Sequence, residues 1–219
     1  MLILGAKGHA KEVLDVIQQG GEDREIIFFD DLSGDLPEHL FGKYRIVRNM
    51  RDAEKVLSQD KRFVLGIGNP IARYTLAGKF IALGGDLGSV ISPFSRIGSH
   101  NVFLGRGLNV MTGAVITNEI TVGEGTLINA GCSIHHDTRI GRYCEISPGV
   151  RVTGGCVVGD FCSIGTGAVL IPRVRLGNNV VVGAGGVVTE DVEDNVLVVG
   201  VPARPIKKLE MLVDKLRDL

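Results

Sequence analysis

Residues 104–141 read LGRGLNVMTGAVITNEITVGEGTLINAGCSIHHDTRIG, and one rule runs through them: every sixth residue is aliphatic. The series opens Leu104, Val110, Ile116, Val122, Ile128, Ile134 and Ile140. It continues through Ile146, Val152, Val158, Ile164, Leu170, Leu176 and Val182 to Val188 without a break. A second register, of period eighteen, lies on the first: Leu104-Gly105, Val122-Gly123, Ile140-Gly141, Val158-Gly159 and Leu176-Gly177. A helix repeats every 3.6 residues and a strand every 2, and neither yields an unbroken six. A triangular prism does. Each face is one short strand, three faces make a coil of eighteen, and successive coils pair through parallel backbone hydrogen bonds about 4.8 Å apart. The aliphatic residue points inward and the glycines are expected to form the corners. Ile91 and Ile97 extend the series upstream after a slip of one residue, so the first coil is expected near residue 90.

The prism explains the cysteines. Cys132, Cys144, Cys156 and Cys162 each stand four residues after a key aliphatic position, a slot that Ala114, Thr126, Thr138, Val150 and Ala168 share. This is the signature of a small inward-facing position, where a thiol acts as a small hydrophobe. No C-x-x-C spacing points to a metal, and none is expected. The whole chain of 219 residues carries a formal net charge of −1, which leaves no electrostatic footprint for nucleic acid or an anionic membrane. No apolar run approaches the ~20 residues of a membrane span. Met1-Leu2-Ile3-Leu4-Gly5 lacks the basic lead and long apolar stretch of a signal peptide, so a cytoplasmic location is expected.

The first ninety residues have a different rhythm. Leu2-Ile3-Leu4 reads as a buried strand, followed by the turn Gly5-Ala6-Lys7-Gly8-His9 and an amphipathic helix from about Ala10 to Gln19. Glu25–Phe29 reads as a second strand ending at Asp30-Asp31, and Arg62–Leu65 as a third. After it, Asn69 caps a helix that has Pro70 in its first turn. Strands alternating with helices indicate a small parallel α/β sheet. Gly5–His9, Asp30–Asp31 and Gly66–Asn69 all follow strands, so they can converge at the carboxyl edge where such sheets bind ligands; the plain alternative is ordinary turn chemistry. Amides opening a helix at Gly8 suit a phosphate, although the full G-x-G-x-x-G pattern is missing.

Taken in order, the chain has a GxxGH turn, a strand ending in Asp-Asp, an Ile67-Gly68-Asn69 segment, hexapeptide coils, and a closing Gly200-Val201-Pro202-Ala203-Arg204. In this it resembles the hexapeptide-repeat sugar O- and N-acetyltransferases, the group that includes the bacillosamine-pathway N-acetyltransferase and the sialic acid O-acetyltransferases. The resemblance implies a Rossmann-like α/β domain over 1–88 that binds a nucleotide sugar and a left-handed parallel β-helix over 89–202, and the helical spacing of Leu209, Leu212, Val213 and Leu216 predicts a helical tail over 203–219. It also implies a homotrimer that binds acetyl-CoA between coils.

Acetyl transfer to an amine or hydroxyl needs a base for the nucleophile's proton, and imidazole suits the task. His135 and His136 follow Ile134 at a coil corner, where side chains point outward; an exposed surface pair is the bland reading. The resemblance places the catalytic histidine at His136 and its acidic partner at Asp137. It places substrate contacts at Gly8, His9, Asp30, Asp31, Gly68 and Asn129, and the coenzyme beside Gly154 and Gly155. Two positions depart from the family pattern. His135 replaces an acid and is expected near the substrate, while Glu145 replaces a histidine beside the coenzyme. Arg173, Arg175, Arg204, Lys207 and Lys208 are candidates for coenzyme phosphates, with an ordinary solvated surface as the alternative. The expected activity is acetyl-CoA-dependent N-acetylation of a 4-amino-4,6-dideoxyhexose linked to UDP or dTDP, for surface-glycan assembly. A sialic acid type of O-acetyltransferase and a non-catalytic β-helix scaffold are the alternatives.

Overall fold

Three consecutive apolar residues form the strand β1 (Leu2–Leu4), which is fully buried because helices cover both faces of its sheet. After it come α1 (Gly8–Gln19), β2 (Ile27–Phe29), β3 (His39–Leu40), β4 (Tyr44–Val47), α2 (Met50–Gln59), β5 (Arg62–Leu65), α3 (Pro70–Ala82) and β6 (Asp86–Leu87). The sheet order is β3-β4-β2-β1-β5-β6, parallel except for the β3–β4 pair. This is a computed structural model describing residues 1–21 and 25–217; Glu22–Arg24 of the expected first domain, and Asp218–Leu219 of the expected tail, lie outside the described residues. The chain moves outward from β1 through β2 and β4, then returns to place β5 on the other side of β1. A crevice therefore opens at the carboxyl ends of β1 and β5, where the winding reverses. Asn69 caps α3 as expected, its Oδ1 accepting from the Ala72 amide at 3.0 Å.

From Val90 onward the chain winds as a left-handed parallel β-helix with three sheets. The first face begins at Val90–Ile91 and repeats every coil through Asn109–Val110, Leu127–Ile128 and Glu145–Ile146. The second begins at Arg96–Ile97 and the third at Val102–Leu104. Register between coils is eighteen, as in Val110↔Ile128 and Ile116↔Ile134. The aliphatic series fills the interior: from Val110 to Val188 all are buried, Ile97 and Leu104 are half-buried against the same core, and Ile91 at the open end is exposed.

Two glycine ladders do different work, and the expectation for one of them is corrected. The corners are made by every sixth residue from Asn101 to Gly185, all with positive φ, of which eight are glycine. The glycines following the aliphatic residues stand two positions earlier and serve stacking instead. A Cβ on Gly123, Gly141 or Gly159 would come within 2.6 Å of the next coil's backbone. The small-residue slot is buried throughout, and it also satisfies corner carbonyls. The Cys132, Cys144 and Cys162 thiols donate to Ser147, Gly159 and Gly177 carbonyls at 3.0–3.1 Å, and Thr126 Oγ1 donates to Gly141 at 2.9 Å. Burial raises the Cys132 pKa to about 11, so the thiol stays protonated.

The tail departs from expectation. Ala203–Lys208 is a strand pairing antiparallel with Val196–Gly200, because the last turn of the first face offers an open edge. Only α4 (Leu212–Arg217) is helical. It does not cap the prism: Leu212 and Leu216 pack beside the corner holding Tyr143 and Phe161, and Asn195 Oδ1 accepts from the Leu212 amide at 3.0 Å.

The first domain lies over the first face and the adjoining corner. Met111 and Leu127 join the core beneath α1, and Tyr74 of α3 packs edge-on against Tyr143 and Phe161. Arg73 of α3 is completely buried, with Nε donating to Gly125 O and Nη1 to Ile67 O, both at 2.7 Å. Burial lowers its pKa to about 10, so it remains a cation at neutral pH.

Candidate active site

The three strand-end segments converge as the sequence suggests. Gly5–His9, Asp30–Ser33 and Gly66–Asn69 line a cavity of about 830 Å³, closed on one side by Ile71, Thr75 and Leu76 of α3. Gly5 has φ +105°, and a Cβ there would strike the Gly66 carbonyl at 2.9 Å, so the two loops meet only because glycine stands at this point. Gly8 has open space around it, and no side chain caps α1, which leaves the first helical amides facing the cavity. Asp30 shapes this wall: its carboxylate accepts from the Ala6 amide at 3.1 Å and from the Ser33 amide at 2.9 Å. Asp31 is exposed on the rim.

His9 stands between the cavity and the β-helix with both ring nitrogens engaged. Nδ1 lies 3.1 Å from Glu12 Oε2, and Nε2 lies 3.1 Å from Asn109 Nδ2, which also donates to Leu65 O at 2.6 Å. The amide donor makes Nε2 an acceptor, so the proton sits on Nδ1 toward Glu12. Burial is the largest influence on His9 and lowers its pKa below the ordinary value, keeping the ring neutral. The sequence places His9 at the substrate; the structure gives it a wall of the cavity and a link between domains. Nothing in the local sequence marks Asn109 or Arg73, whose partners are 100 and 52 residues away.

His135–Asp137 turn the corner between the second and third faces. Asp137 takes φ +60°, and this left-handed turn lays its Oδ2 2.7 Å from His136 Nδ1. Nε2 has no hydrogen-bond partner among the described residues and lies over Gly154. The ring rests flat on the coil below because residue 154 is glycine: a Cβ there would sit 2.5 Å from His136 Cε1. Gly155 donates its amide to the His136 carbonyl at 2.8 Å, and Arg173 follows one coil further along the same corner. The His136 side chain is 69% exposed, and His135 is half-buried.

Glu145 does not join Gly154 and Gly155. It belongs to the first face, under the first domain, where its carboxylate touches Gly68: a Cβ on Gly68 would lie 3.1 Å from Glu145 Oε1. Asn129 turns the corner between the first and second faces. It lines a smaller cavity of about 350 Å³ with Lys11, Glu12 and Asp15 of α1, and its own Oδ1 accepts from the Ala130 amide at 2.8 Å. The prism has three corners, and the first domain covers one face. His136 stands at the corner opposite that face, so a single chain keeps its nucleotide-type cavity and its exposed imidazole apart.

Comparison with known proteins fits this geometry. Residues 1–80 match the family described as PglD N-terminal domain, and residues 119–154 and 155–190 match the bacterial transferase hexapeptide (six repeats). Among solved structures, the chain is similar to a mutant of perosamine N-acetyltransferase from Caulobacter crescentus in complex with CoA and GDP-perosamine. The two share 32% identity over 94% of this chain and 96% of that one, with a TM-score of 0.86. It is also similar to the acetyltransferase domain of PglB from Neisseria gonorrhoeae in complex with acetyl coenzyme A, at 27% identity over 94% and 98% and a TM-score of 0.84. WeeI from Acinetobacter baumannii gives 29% identity over 94% and 98% and a TM-score of 0.85. No curated protein matches the chain significantly.

Proposed function

As the chain belongs to the hexapeptide-repeat sugar N-acetyltransferases with a PglD-type N-terminal domain, we propose that His136 is the base that acetylates a nucleotide-linked amino sugar held in the crevice of a neighbouring copy. The enzyme uses acetyl-CoA as co-substrate and serves glycan biosynthesis. The observation that carries the catalytic assignment is the His136–Asp137 pair, with Nε2 free above Gly154.

The acceptor amine attacks the thioester carbonyl. As the C–N bond forms, the nitrogen's proton passes to His136 Nε2. Asp137 fixes the tautomer and favours the imidazolium. Collapse of the tetrahedral intermediate breaks the C–S bond, and the imidazolium returns the proton to the departing thiolate. Backbone amides near the corner stabilise the oxyanion. The glycines at 154 and 155 leave room for the thioester and pantetheine, and Arg173, farther along that corner, suits a coenzyme phosphate. In the crevice, the uncapped start of α1 at Gly8 receives the diphosphate. His9 and Gly68 shape the walls, Asp31 reads the nucleoside, and Asn129 and His135 guide the sugar between copies.

The placement of crevice and base on opposite sides of one chain supports an assembly of copies, and the family resemblance favours a homotrimer. Four buried free thiols suit a reducing compartment, which supports a cytoplasmic location. Among the described residues no helix is long and apolar enough to cross a membrane. The acceptor is a 4-amino-4,6-dideoxyhexose. The first-named relative was solved with a GDP sugar, which widens the nucleotide choice from UDP and dTDP to GDP. Thiol release from acetyl-CoA, followed with UDP-, dTDP- and GDP-linked amino sugars, tests the reading. One nucleotide class is expected to support rapid release that His136→Ala abolishes. Release with a hydroxyl acceptor such as a sialic acid, and with no amine, would replace it with O-acetylation.

A further inference from the structure

Glu145 is an acid to which no described residue donates a side-chain hydrogen bond, although the buried Arg73 cation lies near it. It projects outward from the first face on the ladder that also holds Asn109 and Leu127, and the first domain closes over it. Its carboxylate contacts Gly68, which lines the crevice; any larger residue at 68 would press on Oε1. No described residue donates it a hydrogen bond. Arg73 is the cation whose charge it feels, but the Arg73 nitrogens are turned to the carbonyls of Gly125, Ile67 and Gly107, at 2.7, 2.7 and 3.5 Å. Burial raises the Glu145 pKa more than Arg73 lowers it. A group with a raised folded pKa contributes least above that pKa, so the carboxylate is a cost to stability at neutral pH.

We propose that Glu145 holds the cationic amino group of the sugar, making it the residue that selects an amine acceptor over a hydroxyl. The inference rests on the N-acetyltransferase reading and deepens it. An alkylamine is largely protonated at neutral pH, so the substrate arrives as an ammonium. A half-buried carboxylate without a donor, behind the glycine at the crevice wall, matches that group in charge. A hydroxyl in the same place gains no charge-assisted hydrogen bond. The ammonium releases one proton to water before attack, and His136 takes the second as the C–N bond forms.

The test is Glu145→Gln, which keeps the shape and removes the charge. Full-length protein is assayed with the amino sugar and with its hydroxyl counterpart, and binding of the bare nucleotide and melting temperature are measured in parallel. The expected result is a KM for the amino sugar about 10–100-fold higher, the range for losing a hydrogen bond to a charged group. Bare-nucleotide binding is unchanged and the melting temperature is equal or higher. Wild-type amine transfer with an unchanged KM in the variant would overturn the role of Glu145 and leave the N-acetyltransferase reading standing. A lower melting temperature, with bare nucleotide and nucleotide sugar losing affinity alike, would overturn it in favour of a counter-ion for Arg73. Wild-type transfer to hydroxyls alone would remove both the inference and the reading beneath it.

Discussion

At position 154 a missing side chain defines the geometry of the base. The His136 ring lies where a Cβ would be, so Gly154→Ala is expected to displace the imidazole while leaving the coil's hydrogen bonds intact. Loss of base positioning at a general base is worth about 10²–10⁴-fold in rate. The variant should therefore lose kcat by that order, with an unchanged circular dichroism spectrum and nucleotide affinity. Full activity in the variant would contradict the placement of the ring. The proposed base, its acid and the glycine eighteen residues on were legible because they are local: the repeat fixes their spacing, and the family resemblance assigns their roles. Arg73 and Asn109 were not legible. A buried arginine in an ordinary helix and an asparagine in a strand acquire meaning only when partners 52 and 100 residues away are in place.

For a coil, the governing quantity is the separation from the next coil. Gly159 stacks so closely that an added Cβ would meet Gly177 at 2.6 Å, whereas Gly167 has φ +69° and open space around it. Gly159→Ala should cost about 1–3 kcal/mol through overpacking. Gly167→Asn should be nearly neutral, because asparagine tolerates the left-handed turn. Thermal melts of the two variants separate the ladders, and equal effects would mean that both glycine sets serve only the turns. Period six made the β-helix readable, and β1, α1, β2, β5 and α3 were readable from apolar runs, caps and turn residues. The segment 39–59 passed unread, although Asn49 caps α2 and Ala53, Val56 and Leu57 give it a buried stripe. The strand Ala203–Lys208 was read into a helical tail because Leu209, Leu212, Val213 and Leu216 just beyond it have helical spacing; pairing with Val196–Gly200 takes the first part of that tail into the sheet.

Across the whole molecule, the first domain covers one face of the prism and His136 points away from the opposite corner. In the proposed mechanism the crevice and His136 act together only when copies of a 23.4 kDa chain associate. Subunit complementation tests this most directly. His136→Ala removes the base, and Gly68→Arg fills the crevice wall that touches Glu145; each variant alone should be inactive. Co-refolding the two in equal amounts gives mixed assemblies in which an intact crevice of one copy faces an intact His136 of another. Recovery of a substantial fraction of wild-type acetyl transfer is the predicted result, with a mass three times that of the chain by light scattering. Mixed assemblies that form and remain inactive would contradict the account, because crevice and base would then belong to the same chain.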